Sequence, residues 1–395
     1  MTDSDTQAHL HLETRAVHAG RADLEALGVH ALPIDLSTTN PLTDIDSGGR
    51  SYGRLAAGGE IEQNASPVYQ RLWNPTTARY EEALAELEGA EASVAFSSGM
   101  AAISSVILAA AGDGRRHIVV LRTIYGGTES ILSAGTLATE VTFVDRVDEI
   151  PAAVTDQTGL VIAETPANPT VELTNLDTLA TAAGDVPLMV DNTFATPVLQ
   201  QPLRHGAQFA VHSATKYIGG HGDVLGGIVA CDNDWARRIR HVRSLTGAIA
   251  HPLASYLSHR GLATLPLRVH QQQSNAQAVA EALQGMPGIE RVMYPGLPDC
   301  DPEGLVGTQM AGPGAMMAID VGTYERAEAV AAAAKIFTHA VSLGGVDSLL
   351  QHPASLTHRP AAAEAKPNTG VLRISIGLEH PDDLIADLAQ AIAAA

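Results

Sequence analysis

The chain has 395 residues, 45% of them apolar and 17% charged, and 24 Lys and Arg against 44 Asp and Glu leave a net charge of −20. At ~150 residues per domain, this length and composition predict two or three globular domains and exclude disorder as the main state. The negative balance repels a phosphate backbone and an anionic membrane surface, so neither nucleic acid nor membrane is an expected partner.

The opening residues 1–6 are acidic and polar, without the basic start and apolar core of a secretory signal. The longest apolar-looking stretch, 101–111, is interrupted by serines and falls short of the ~20 residues that span a bilayer. Two cysteines, Cys231 and Cys300, suggest neither a disulfide framework nor a metal cluster. A reducing cytoplasm is the expected setting.

In chain order, residues 1–65 are rich in Gly, Asp and Ser, notably 44–59, and their weak periodicity predicts an extended N-terminal arm. From Thr76 onward helical and strand patterns alternate. Residues 78–87 repeat Ala and Leu at helical spacing, 93–96 read as a short strand and 100–110 as a helix. The short apolar runs 117–121, 141–144, 160–163, 188–190, 209–211 and 228–230 suit strands buried on both faces, with helices such as 175–183 between several of them. This alternation predicts an α/β domain over 66–250, built on a parallel-rich sheet wrapped by helices. After about His251 a long helix at 262–283, strands near 315–319 and 372–376 and a helix between them predict a smaller α+β domain over 251–395.

Three lysines occur, Lys216, Lys335 and Lys366. Lys335 reads as part of an alanine-rich helix and Lys366 as part of a polar loop. Lys216 closes Val211-His212-Ser213-Ala214-Thr215-Lys216-Tyr217, after an apolar strand and before Gly219-Gly220-His221-Gly222. That puts an amine at the carboxyl end of a strand, where open α/β sheets bind ligands. A Schiff-base lysine fits this place, as does the lysine of a Ser-x-x-Lys nucleophile pair, but the Ser-Asp-Asn and Lys-Thr-Gly elements of the second are absent.

A Schiff-base lysine implies pyridoxal 5′-phosphate, whose needs can be sought in the chain. Its ring nitrogen needs a carboxylate, and Asp191 stands at the end of another apolar strand, although an Asp there also suits a turn or a helix cap. Its phosphate needs N–H groups at a helix start, which Ser97-Ser98-Gly99-Met100 can supply, with Ser213 and Thr215 adding hydroxyls. In a chain only 4% aromatic, Tyr125 in Ile124-Tyr125-Gly126-Gly127-Thr128 is a candidate ring to stack on the cofactor, or else a packing residue. The 16 histidines raise a metal site as an alternative, but His212 and His221 lack an acidic partner at ligand spacing, so no metal is expected.

Together these residues resemble the Cys/Met-metabolism family of pyridoxal-phosphate enzymes, which includes cystathionine γ-synthase, cystathionine and methionine lyases and O-acylhomoserine sulfhydrylases. The resemblance rests on residues 69–76 (Tyr-Gln-Arg-Leu-Trp-Asn-Pro-Thr), 97–100, 125–128, Glu164-Thr165-Pro166-Ala167-Asn168-Pro169-Thr170, Asp191-Asn192-Thr193, 213–216, Ser342-Leu343-Gly344-Gly345, His352-Pro353-Ala354-Ser355 and Arg373. It implies a fold type I pyridoxal-phosphate transferase-like architecture, with a seven-stranded mostly parallel sheet, an arm that crosses to a partner and a C-terminal α+β domain. It also implies a homotetramer, a dimer of dimers with active sites shared between subunits.

By the resemblance, Lys216 holds the cofactor and moves protons, Asp191 pairs with the ring nitrogen and Tyr125 stacks on the ring. Gly99, Met100, Ser213 and Thr215 bind the phosphate, with Tyr69 and Arg71 reaching over from a neighbouring subunit. Ser342 and Arg373 hold the substrate carboxylate, and Asn168 lies near the cofactor's phenolic oxygen. The substrate is a small sulfur amino acid. Family members that handle cystathionine usually carry Glu just before the Ser-Leu-Gly-Gly run; here Val341 stands there, which suits a methyl thioether and leaves a distal ammonium unpaired. The expected reaction is γ-elimination of L-methionine to methanethiol, 2-oxobutanoate and ammonia. Gly127, where methionine lyases commonly have Cys, and Arg243-Ser244, in place of a usual Lys-Asp pair, keep cystathionine γ-lyase or γ-synthase open, with O-acetylhomoserine sulfhydrylase behind them.

Overall fold

Short strands without a polar face need cover on both sides, and the molecule provides it. In a computed structural model, which describes residues 10–357, 359 and 367–395, the larger sheet comprises β1 (Ala92–Phe96), β2 (His117–Leu121), β3 (Glu140–Val144), β4 (Thr158–Glu164), β5 (Leu188–Asp191), β6 (Phe209–His212) and β7 (Gly227–Cys231). The seven strands lie in the order β1-β7-β6-β5-β4-β2-β3. β2, β3, β4, β5 and β6 pair in parallel, and only β7 runs against its neighbours β1 and β6. One face is covered by residues such as Ile103, Val106 and Ile107 of helix Gly99–Ala110, the other by Leu176 and Leu179 of helix Leu176–Ala183. Each such side chain withdrawn from water stabilises by roughly 1.5–3 kcal/mol.

The helices begin and end where side chains satisfy their free backbone groups. In helix Pro75–Glu88 the Asn74 side-chain Oδ1 accepts from the N–H groups of Thr76 and Thr77 at 3.0 and 3.1 Å, and Gly89 closes the helix in the left-handed region at φ 69°.

A second, five-stranded sheet is made of β8 (Arg291–Met293), β9 (Met316–Asp320), β10 (Thr338–His339), β11 (Leu349–Gln351) and β12 (Val371–Ser375), in the order β10-β11-β12-β9-β8. Helices Leu265–Leu283, Tyr324–Ala333 and Pro381–Ala394 pack with it around Met317, Ile319, Leu372 and Leu388. The expected architecture, a large mostly parallel sheet with a smaller α+β part, is therefore present.

Four details differ from expectation. The 1–65 region holds helices at Leu12–His18 and Ile45–Ala56 within what reads as an extended arm. Asp44 caps the second by accepting from Ser47 N at 2.8 Å, and Leu55 is buried. Gly48, Gly49 and Gly53 hide that helix, since glycine is the poorest helix former after proline. The helix at 262–283 starts only at Leu265, after a separate helix Pro252–Leu262, because the ring of Pro266 collides with the carbonyl four residues earlier in a continuous helix. Lys335 lies beyond the end of helix Tyr324–Ala333, and its N–H caps onto Asp387. The strands β8, β10 and β11 are too short to show a period, and helix Pro381–Ala394 is absent from the expected elements although its buried Leu384, Leu388, Ala391 and Ile392 recur at helical spacing. Lys366 and residues 1–6 lie outside the described residues. Among the described residues no helix is long and apolar enough to cross a membrane.

Candidate active site

β4, β5 and β6 are parallel, so their carboxyl ends open on the same edge, and each contributes there. Glu164 closes β4, Asp191 closes β5 directly opposite it, and β6 runs into Ser213 and Lys216. Loops before and after β11 and the strand β12 face this edge with Val341, Ser342 and Arg373. Between them lies a cavity of about 370 Å³.

Lys216 reaches into the cavity from a tight turn: its N–H donates to Ser213 O at 3.1 Å, and its carbonyl accepts from Gly220 N at 2.8 Å, with Gly220 at φ 73°. The buried Arg268 holds the following segment by donating to the carbonyls of Tyr217, Ile218 and Gly261. Lys216 Nζ donates to Ser342 Oγ at 2.8 Å. Burial, and then repulsion by Arg373, bring its pKa down to about 8, against an opposing pull from Asp191. A neutral, nucleophilic amine is thus accessible near neutrality.

Asp191 Oδ1 accepts from Thr193 N at 3.0 Å and Thr193 Oγ1 at 2.6 Å. Desolvation raises its pKa, while the Thr193 bonds and the charges of His212 and Lys216 act the other way. Behind it His212 Nε2 meets Glu88 Oε1 at 2.5 Å, fully buried. Ser98 caps helix Gly99–Ala110 through Ala101 N, and the N–H groups of Gly99 and Met100 find no acceptor among the described residues. These two positions, with Ser213 and Thr215, line the same cavity, although the Thr215 hydroxyl is also bonded to Gly226.

Tyr125 lines the cavity just ahead of helix Gly126–Ser133. A Cβ on Gly127 would lie 2.5 Å from Tyr125 Cε1, so a larger residue there would require the ring to shift from this position. Arg373 on β12 is 2% exposed and has no carboxylate within hydrogen-bonding reach among the described residues; it donates to Asn168 Oδ1 at 3.0 Å, to Ser342 O at 2.8 Å and to Gln351 Oε1, while Nε has no partner. Desolvation lowers its pKa to about 10. A buried guanidinium that lines a cavity without a carboxylate partner is suited to accept one from a ligand. Ser342 sits at φ 106°, a region that β-carbon residues rarely adopt, and this conformation sets its hydroxyl on Lys216 and its carbonyl on Arg373. Val341 beside it and Leu225 opposite are 55% and 64% exposed at the mouth.

The structure therefore brings together Lys216, Asp191, Tyr125, Gly99, Met100, Ser213, Thr215, Asn168, Arg373, Ser342 and Val341. It does not bring Tyr69 and Arg71 to the cavity of their own chain: Arg71 donates to Ser244 O and lies over the Tyr69 ring. Arg243 is buried against Glu81 and Ala95 O, away from the cavity lining. His352 is held by Ser355 and Thr369 O and does not line it either. Leu225, Glu164, Thr193 and Gln351 have no role in the sequence reading. Glu164 and Thr193 stand within quoted motifs, but only strand register reveals what they touch. His205 pairs with Asp177 and His221 with Gly219 O, and no group of three metal-ligating residues occurs among the described residues.

The profile of the Cys/Met metabolism PLP-dependent enzymes matches residues 13–393. The chain belongs to this family. It is 54% identical over 384 residues to the L-methionine gamma-lyase of Brevibacterium sandarakinum, covering 97% of this chain and 98% of that one. It is 38% identical to the cystathionine gamma-lyase of Bacillus subtilis, covering 96% and 98%. Among solved structures, metB from Corynebacterium glutamicum superposes with a TM-score of 0.88 at 36% identity, over 98% of this chain and 99% of that one. The cofactor of the family suits the groups found here: unsatisfied N–H donors at a helix start for a phosphate, an amine of lowered pKa for an aldehyde and a carboxylate on the neighbouring strand for a ring nitrogen.

Proposed function

We propose that this chain is a pyridoxal-phosphate-dependent carbon-sulfur lyase that converts L-methionine and water to methanethiol, 2-oxobutanoate and ammonia. The observation that carries the reading is a single cavity holding an unpaired buried guanidinium, a lysine amine and an apolar mouth at Val341 and Leu225. The relatives named as L-methionine gamma-lyases support it.

In this reading Gly99, Met100, Ser213 and Thr215 hold the cofactor phosphate, Asp191 holds its ring nitrogen and Tyr125 covers its face, with Asn168 close by. Bound there, pyridoxal phosphate supplies an electron sink that acidifies substrate C–H bonds. Arg373 and Ser342 grip the substrate carboxylate, which fixes Cα near Lys216. The Lys216 amine, neutral in an appreciable fraction near pH 8, would accept the Cα proton, return it to the cofactor-bound substrate and, neutral again, remove one from Cβ, so that the thiolate leaves from Cγ and takes up a proton as methanethiol. Val341 and Leu225 shelter the methyl thioether and offer no carboxylate to a distal ammonium.

The same reading divides the chain into an arm over 1–65, a cofactor domain over 66–250 and a C-terminal domain over 251–395. Tyr69 and Arg71, away from their own chain's cavity, would complete the partner's site in a homotetramer built from dimers. A cytoplasmic setting is supported by the two free thiols, Cys231 and Cys300. Purified protein loaded with pyridoxal phosphate and given L-methionine alone should release methanethiol and 2-oxobutanoate in equal amounts; no 2-oxobutanoate from the loaded protein would reject methionine as substrate.

A further inference from the structure

Glu164 is buried at the carboxyl end of β4 and lines the cavity, yet the reaction above gives it no task. Its two oxygens go to two different parts of the site: Oε2 accepts from Tyr125 N at 2.7 Å, and Oε1 accepts from Asn168 N at 3.0 Å. Tyr125 carries the ring that bounds the cavity and has no side-chain cap of its own where helix Gly126–Ser133 begins. Asn168 is buried and its Oδ1 receives Arg373. One carboxylate thus ties the ring on one wall to the guanidinium on the other, over a sequence gap of 39 residues to Tyr125 and 205 between Asn168 and Arg373. Burial and the neighbouring Asp191 disfavour its charge, and the two N–H donors and Arg373 favour it. Such a group is costly to bury unless both oxygens are used.

We propose that Glu164 is the positioning residue that sets Tyr125 and the Asn168–Arg373 pair against each other, and so couples cofactor affinity to substrate-carboxylate binding. The inference rests on the reading of the cavity as the pyridoxal-phosphate site. Glu164→Gln is the informative change: its amide can accept one N–H, but it turns an NH₂ toward the other, so one tie is replaced by two opposed donors.

The test uses wild-type and E164Q protein, with the pyridoxal phosphate dissociation constant of the apoprotein, KM and kcat for L-methionine, and the thermal midpoint of the apoprotein. The expected result is a dissociation constant and a KM each raised about tenfold, the loss of one charged hydrogen bond, with kcat changed less. The KM effect should also be non-additive with that of Asn168→Ala. Unchanged affinity and KM, with or without a lower thermal midpoint, would assign Glu164 to stability alone and overturn the proposal. If E164Q does not fold, E164D keeps the charge but is too short to reach both N–H groups; it should shift both constants in the same direction, and wild-type constants in it would be equally fatal. Wild-type protein that binds the cofactor but leaves methionine intact would reject the substrate assignment instead, and the affinity comparison would still decide the role of Glu164.

Discussion

The two walls of the cavity are built differently. The wall from the larger sheet is made of strand ends and the turns that follow them, and nearly every group on it is fixed by backbone: Asp191 by Thr193, Tyr125 by Glu164, Lys216 by the turn that Arg268 clamps. The wall from the smaller sheet has one deeply anchored group, Arg373, and otherwise loop residues, Val341 half exposed and Ser342 in an unusual backbone conformation. In the proposed reading, chemistry that must not vary lies on the rigid wall, and selection among related substrates on the one where a single side chain can change without disturbing a strand.

If that division holds, changes on the first wall should abolish turnover and changes on the second should redistribute it. The largest effect is expected for Lys216→Met, which should lower kcat by at least ~10³-fold, the scale of a lost acid-base group and more, read as 2-oxobutanoate release. Arg373→Met should raise KM for L-methionine about 100-fold, since a bidentate carboxylate grip is worth a few kcal/mol, with a smaller change in kcat. Val341→Glu should leave turnover largely intact and shift the ratio of kcat/KM for cystathionine over methionine upward by about 10-fold or more, the worth of a satisfied ammonium. A loss of all activity in V341E would break the division between the walls.

The smallest effect is one of stability. Lys216 in the folded apoprotein loses its proton near pH 8, and in the unfolded chain near 10.5. Between these values the unfolded chain binds more protons, so the contribution of Lys216 to stability rises with pH across that window. Denaturant unfolding of apoprotein at pH 7.5 and 10 should therefore show wild type gaining on K216M as the pH is raised; parallel changes in the two would mean that the amine is not depressed.

The sequence reveals the first wall more fully than the second. Apolar runs locate each strand of the larger sheet to within a few residues, and small polar residues after them mark the cofactor edge. What stays hidden depends on register and distance. Glu164 gains meaning only because β4 lies beside β5 and the turn before Gly126–Ser133 folds back over it. The helix at Ile45–Ala56 escapes notice because its three glycines lower its helix propensity and it packs on helix Asn233–Thr246, whose His241 and Ser244 bond Ala56 O. Arg268 reads as one polar residue in a helical pattern, yet it clamps the turn after Lys216. β10 and β11, two and three residues long, are too short to carry alternation.

The most direct measurement offers the loaded enzyme an equimolar mixture of L-methionine and L-cystathionine and identifies the sulfur product beside 2-oxobutanoate. Methanethiol as the main product is the predicted result, with Val341 as the selector. Cysteine as the main product would contradict it and mean that the distal ammonium of cystathionine is held by residues other than that at position 341.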